Sequence, residues 1–187
     1  MSNRGKHSRA CQFAPGQFML GHRAARRGHE SVKLGGVDSQ SHAWACMADQ
    51  KILCATDGSA ISEKAVIQAI AWAGQLNQAL TFITVTDGAE LKFTTWDEAR
   101  LTSGDLPVDR PLLVALQRAL SAGLKHLGCV RAAGPHIADA IVGYAEKNHY
   151  HHIIAGSAGR TGTARLLIGS VAADIVNRAH CPVTIVR

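Results

Sequence analysis

The chain has 187 residues and 19.8 kDa, enough for one domain of ordinary size with a sizeable core. Its 47% hydrophobic and 18% charged content is that of a globular chain and excludes a disordered one, and no apolar run reaches the length of a membrane span. The formal charge of +6 is uneven: Arg4, Lys6, Arg9, Arg23, Arg26, Arg27 and Lys33 face only Glu30 and Asp38 before residue 47, and the remainder is close to neutral. With no basic groove and no aromatic platform among three Trp and two Tyr, the folded part has no nucleic-acid signature.

Residues 1–46 mix Gly, Ser, His and Arg without a period of 3.6 or 2 and read as a disordered extension. They hold no apolar stretch of signal-peptide length. Met47, opening MADQKIL, is an alternative start. The five cysteines, at 11, 46, 54, 129 and 181, include no CxxC pair; Cys54, Cys129 and Cys181 fall in or beside expected strands and read as small buried hydrophobes, and a reducing cytoplasm is implied.

From Lys51 the chain alternates. KILCAT, residues 51–56, is a first strand ended by Asp57-Gly58-Ser59. A helix follows with Ser59 as its N-cap and Ala65, Val66, Ala69, Ile70, Ala73 and Leu76 on one face. Ala79 to Thr86 is a second strand, and Asp87 to Val108 a polar connection with few structure signals. Asp109 and Pro111 start a second helix with an apolar face of Leu112, Leu113, Leu116, Leu120 and Leu124, stopped by Gly128. Cys129 to Ala133 is a third strand, and Gly134-Pro135 turns into a third helix through Ile137, Ile141, Val142 and Ala145. His149, Tyr150, His151 and His152 read as a solvated entry to the fourth strand, Ile153 to Ala155, rather than as ligands. A fourth helix runs to about Ala179, and Pro182 to Val186 is the fifth strand.

Between the fourth strand and the fourth helix lies GSAGRTGTARLLIGS, Gly156 to Ser170. Gly156, Gly159 and Gly169 let the backbone approach an anion and adopt positive φ, and the amides of the helix start at Ser170 suit phosphate. Neither the Walker pattern nor the dinucleotide pattern is present. Each residue also has a plainer use: glycines turn chains, Asp57 ends a strand, Ser170 caps a helix, and Arg160 and Arg165 are solvated or reach phosphate.

The strand-helix alternation predicts an α/β fold: a single open five-stranded parallel sheet with helices on both faces, binding its ligand where the winding reverses at the strands' carboxyl ends. KILCATDGS and HIIAGSAGRTGTARLLIGSVAADIVNRAHCPVTIV resemble the universal stress protein family, specifically its ATP-binding branch, and the resemblance covers roughly 47–187. It implies a Rossmann-like sheet of order 3-2-1-4-5 and a homodimer through the last strand. It further implies that Asp57, with Ala55 beside it, contacts adenine or ribose, that Val85 lines the adenine pocket through its backbone, and that Gly156, Gly159, Gly169, Ser170 and Val171 hold ribose and phosphates. His151-His152 departs from the Asp often found there in the family. The implied cofactor is ATP (or ADP or AMP) with Mg2+, and the implied role is that of a nucleotide-binding regulatory module in stress response. A slow ATPase or nucleotidyl-transfer enzyme, and a structural stress protein with no nucleotide, are the alternatives. No base, arginine finger or acidic pair for Mg2+ stands out to favour an enzyme.

Overall fold

The computed structural model describes residues 50–159 and 168–187. The expectations for residues 1–46, and for Arg160 and Arg165, lie outside the described residues. In chain order the elements are β1 (Lys51–Ala55), α1 (Ala60–Leu76), β2 (Ala79–Thr86), β3 (Lys92–Trp96), α2 (Glu98–Thr102), α3 (Arg110–Ser121), β4 (Leu127–Ala133), α4 (Ile137–Lys147), β5 (His152–Gly156), α5 (Ser170–Arg178) and β6 (Val183–Val186).

The sheet order is β3-β4-β2-β1-β5-β6. The five expected strands are all present, parallel to their neighbours, and in the expected 3-2-1-4-5 arrangement. The sheet nevertheless has six strands. The polar connection contains β3, which pairs antiparallel with β4, and the short helix α2. Its KFTTW sequence supplies β-branched and aromatic residues, and Trp96 is buried with its Nε1 donating to Asp105 Oδ1 at 3.2 Å. Asp105 is held in turn by Arg100, whose guanidinium lies 5.5 Å from the Trp96 ring. Polar residues thus clamp one aromatic anchor.

Side-chain alternation along the strands divides the core into two layers. Ile52, Cys54, Leu80, Phe82, Cys129 and Ile154 face the layer shared with α1 and α3. Leu53, Ile83, Val130, Ile153 and Ala155 face α4 and α5. Helix α1 begins as expected, with Ser59 Oγ accepting from the Ser62 amide at 3.2 Å, and ends at Asn77 in the left-handed region. Its buried face is Ala65, Val66, Ala69 and Ala73; Leu76, in the last turn, is exposed. In α3 the buried stripe is Leu112, Ala115, Leu116 and Ala119, so small residues take the close helix-sheet contact and Leu120 points outward. Helix α3 stops before Gly123, at φ +82, and not at Gly128. Gly128 belongs to β4, where an added Cβ would stand 2.9 Å from Thr81 Oγ1.

The histidine tract is less solvated than expected. Tyr150 is buried, and His152 Nε2 meets Thr184 Oγ1 at 2.9 Å while its ring lies 5.4 Å from that of Trp72. Burial pushes the His152 pKa down. Among the described residues, no group of three or more His, Cys, Asp or Glu is placed to hold a metal. Cys54 and Cys129 are buried as expected, and Cys181 is half-buried. Burial pushes the Cys129 thiol up to about 12, which keeps it protonated and inert. No described helix is long and apolar enough to cross a membrane.

Candidate functional site

Strand β1 pairs with β2 on one side and β5 on the other, so the winding reverses between β1 and β5. At the carboxyl ends of those two strands opens a crevice of about 260 Å3. All eight residues named in the sequence line it: Ala55, Asp57, Val85, Gly156, Gly159, Gly169, Ser170 and Val171. They come from four parts of the chain: the end of β1 with its turn, β2, the end of β5 with the residues after it, and the start of α5.

The floor and one wall are apolar, built from Ile83 and Val85 of β2, Ile137 and Ile141 of α4, and Ile175 of α5. Asp57 is the one charged side chain among the described lining residues. It sits in a tight turn, its Oδ1 accepting from the Ser59 amide at 3.0 Å, with Gly58 at φ +78. Its other oxygen, Oδ2, faces Gly159 so closely that a Cβ there would stand 2.8 Å away.

Helix α5 closes the remaining side. Its N-cap is Gly169, not Ser170; Ser170 is the first helical residue, and no side chain caps the helix. The first bond across its start runs from the Ala173 amide to Gly169 O at 2.9 Å, so the amides of Ser170, Val171 and Ala172 precede the helical ladder. The Gly169 amide donates to Ser157 O at 2.8 Å, and the Ser157 amide to Val186 O at 2.7 Å, which anchors the helix start to the ends of β5 and β6.

The reason for the glycines differs in part from the expected one. None of Gly156, Gly159 and Gly169 adopts a positive φ; the requirement is space. A Cβ on Gly156 would lie 3.1 Å from the Ser62 amide nitrogen and from Ile61 Cγ2, and one on Gly169 would lie 3.3 Å from Ser157 O. Bare backbone lets β5, the start of α1 and the start of α5 converge on one point.

Sequence reasoning missed Thr56 and Ser62. Both are buried, both line the crevice, and their hydroxyls lie 3.4 Å apart, with Ser62 Oγ donating to Ser59 O at 3.0 Å. Thr56 adjoins Asp57 in a run taken only as strand; Ser62 was legible solely as a polar residue three positions after the cap.

An open, mostly parallel sheet with a crevice at its reversal point, apolar on one side and bordered by helix amides on the other, defines a doubly wound α/β protein. Sequence comparison identifies which one. The sequence profile described as the universal stress protein family matches residues 49–187, and the chain belongs to that family. It is 30% identical over 145 residues to the universal stress protein MJ0531 of Methanocaldococcus jannaschii, covering 74% of this chain and 82% of the relative. It is 30% identical over 143 residues to the universal stress protein Rv1636 of Mycobacterium tuberculosis, covering 75% and 97%. Among solved structures it resembles a universal stress protein crystallised in complex with cAMP, with a TM-score of 0.57, 27% identity, and coverage of 75% and 98%.

Proposed function

We propose that the crevice binds an adenine nucleotide, ATP or its products ADP and AMP, and that the protein acts as a nucleotide-responsive regulatory module. The observation that carries this reading is the meeting of Asp57, the glycine segment and the uncapped start of α5 around one partly apolar crevice. The donor set suits such a ligand. The isoleucine wall with Val85 takes a flat base, the Asp57 carboxylate accepts from a ribose hydroxyl, and the amides of Ser170 and Val171 donate to a phosphate. The structural relative in complex with cAMP supports an adenine ligand. ATP would bring Mg2+, held by phosphate oxygens and water.

The edge strand β6 supports a homodimer. It is half-buried along its whole length and leaves one side without a strand partner among the described residues.

The test is the small-molecule content of the purified protein after denaturation, read by mass spectrometry, followed by calorimetry with ATP, ADP and AMP and a phosphate-release assay. A retained adenine nucleotide, saturable binding and no steady release are expected. Failure of all three nucleotides to bind overturns the reading, and sustained turnover replaces the regulatory role with an enzymatic one.

A further inference from the structure

Two hydroxyls that the nucleotide reading leaves without a task sit side by side in the crevice wall. Thr56, the first residue past β1, and Ser62, in the first turn of α1, are both buried, and their oxygens lie 3.4 Å apart. Ser62 is held twice by Ser59: its amide donates to Ser59 Oγ at 3.2 Å and its hydroxyl to Ser59 O at 3.0 Å. The end of β5 presses on the same point, since a Cβ on Gly156 would stand 3.1 Å from the Ser62 amide nitrogen. A hydroxyl has one proton to give and two lone pairs to accept with. The Ser62 proton goes to Ser59 O, so between the two side chains Thr56 is the donor. The Gly58 amide donates in turn to Thr56 Oγ1 at 3.4 Å. With its proton committed to Ser62 and one lone pair engaged by Gly58, Thr56 has one lone pair left for a ligand. Toward the crevice it only accepts.

We propose that Ser62 is a positioning residue: by taking the Thr56 proton it fixes Thr56 as an acceptor next to Asp57, and the two acceptors select a nucleotide whose ribose keeps both its 2′ and 3′ hydroxyls. The inference rests on the nucleotide reading above and narrows it from any adenine nucleotide to a ribonucleotide. Consecutive residues of one turn offer two acceptors, and ribose offers two donors on adjacent carbons. An ionised phosphate brings acceptors alone, gains nothing from Thr56 and is repelled by Asp57, so this corner takes the sugar and leaves the phosphate to the α5 amides. A deoxyribose leaves one acceptor facing a carbon-bound hydrogen, and a buried acceptor stripped of its partner discriminates more strongly than the bond itself attracts. Without the Ser62 hydroxyl the Thr56 proton needs another acceptor, the hydroxyl turns, and its lone pair is no longer held toward the sugar.

The experiment is calorimetry of the full chain with ATP, 2′-deoxyATP and 3′-deoxyATP on the wild type, Ser62→Ala and Thr56→Val, with thermal melting of each. Wild type should bind ATP about tenfold more tightly than either analogue, the size of one hydrogen bond with a stranded acceptor. Ser62→Ala should bring the penalty for one analogue down to about twofold and keep that for the other, whose missing hydroxyl is the one Asp57 reads. Thr56→Val keeps the shape and removes the oxygen, and should abolish the penalty for that same first analogue. A packing role for Ser62 would instead weaken ATP and both analogues alike and leave the ratios where they were. Should either variant lose its melting transition, the wild-type ratios and the remaining variant carry the test. Equal binding of the three nucleotides to wild type, or ratios in the folded variants that match wild type, overturns this inference alone; no binding of any of them to wild type overturns the nucleotide reading with it.

Discussion

Replacing Gly159 with alanine tests the site at its tightest point. The new Cβ would stand 2.8 Å from Asp57 Oδ2, and ordinary contact begins near 3.4 Å, so the carboxylate must retreat by several tenths of an ångström. Its retreat is opposed by the 3.0 Å bond from the Ser59 amide to Oδ1. Folding should be nearly indifferent, because Gly159 is exposed and its φ is not left-handed; the reduced freedom of the unfolded chain even contributes about 0.4–1 kcal/mol in favour of alanine. Binding should suffer. If Asp57 accepts from the ribose, moving it forfeits a charge-assisted hydrogen bond of about 1.5–3 kcal/mol, or roughly a ten- to hundredfold loss of affinity. Calorimetry with ATP on Gly159→Ala, Asp57→Ala and the double variant separates this route from any other. When the alanine acts through Asp57, the double variant binds no worse than Asp57→Ala alone. Full affinity in Gly159→Ala, or losses that simply add, would refute the reasoning.

Two further expectations concern the edge strand and the histidine buried beside it. Pro182 O accepts from the Ile153 amide at 3.0 Å and Val186 O from the Ser157 amide at 2.7 Å, so by the two-residue alternation Ile185 turns its own amide to the open side of β6. Wild type should sediment as a dimer at micromolar concentration and Ile185→Pro, with its far-ultraviolet spectrum retained, as a monomer; a monomeric wild type or a dimeric variant counts against pairing through β6. The pKa of His152 is lowered from 6.5 by burial, so the unfolded state takes up its proton first as pH falls. Stability should therefore drop on acidification from about pH 6.5 through the lower folded value, and the drop in melting temperature should be smaller in His152→Gln; identical profiles for the two proteins would show that His152 carries none of the effect.

The parallel core was legible because its central strands, β1, β2 and β5, are buried on both faces and read as apolar runs between turn residues. Ala79–Thr86 has those bounds in the structure as in the sequence. Strand β3 was not legible for the opposite reason. It is an edge strand, exposed at Lys92, Phe93 and Thr95, and its one buried residue, Trp96, depends on Asp105 and Arg100, which look like loop residues until the chain has folded around the indole. The α3 stripe failed differently. Leucine weighs more than alanine in a hydrophobic pattern, but a helix lying close on a sheet needs small residues at the contact, so Ala115 and Ala119 are buried where Leu120 is not.

The site was legible through its glycines, although for a reason only partly the one their spacing suggests. Gly156 and Gly169 are demanded by the chain's own packing, since a Cβ on either would crowd the Ser62 amide nitrogen or Ser157 O. Those contacts hold β5 against the starts of α1 and α5, and that convergence leaves the amides of Ser170 and Val171 beside the Asp57 turn. One absence of side chains therefore serves assembly and access at once. A spacing pattern cannot separate the two uses, because each asks for the same missing atom. Gly159 is the position where they diverge: its Cβ would meet the Asp57 carboxylate and, among the described residues, no backbone atom of another segment within 4 Å. A substitution there therefore perturbs the proposed ligand contact while leaving the convergence of the three elements intact.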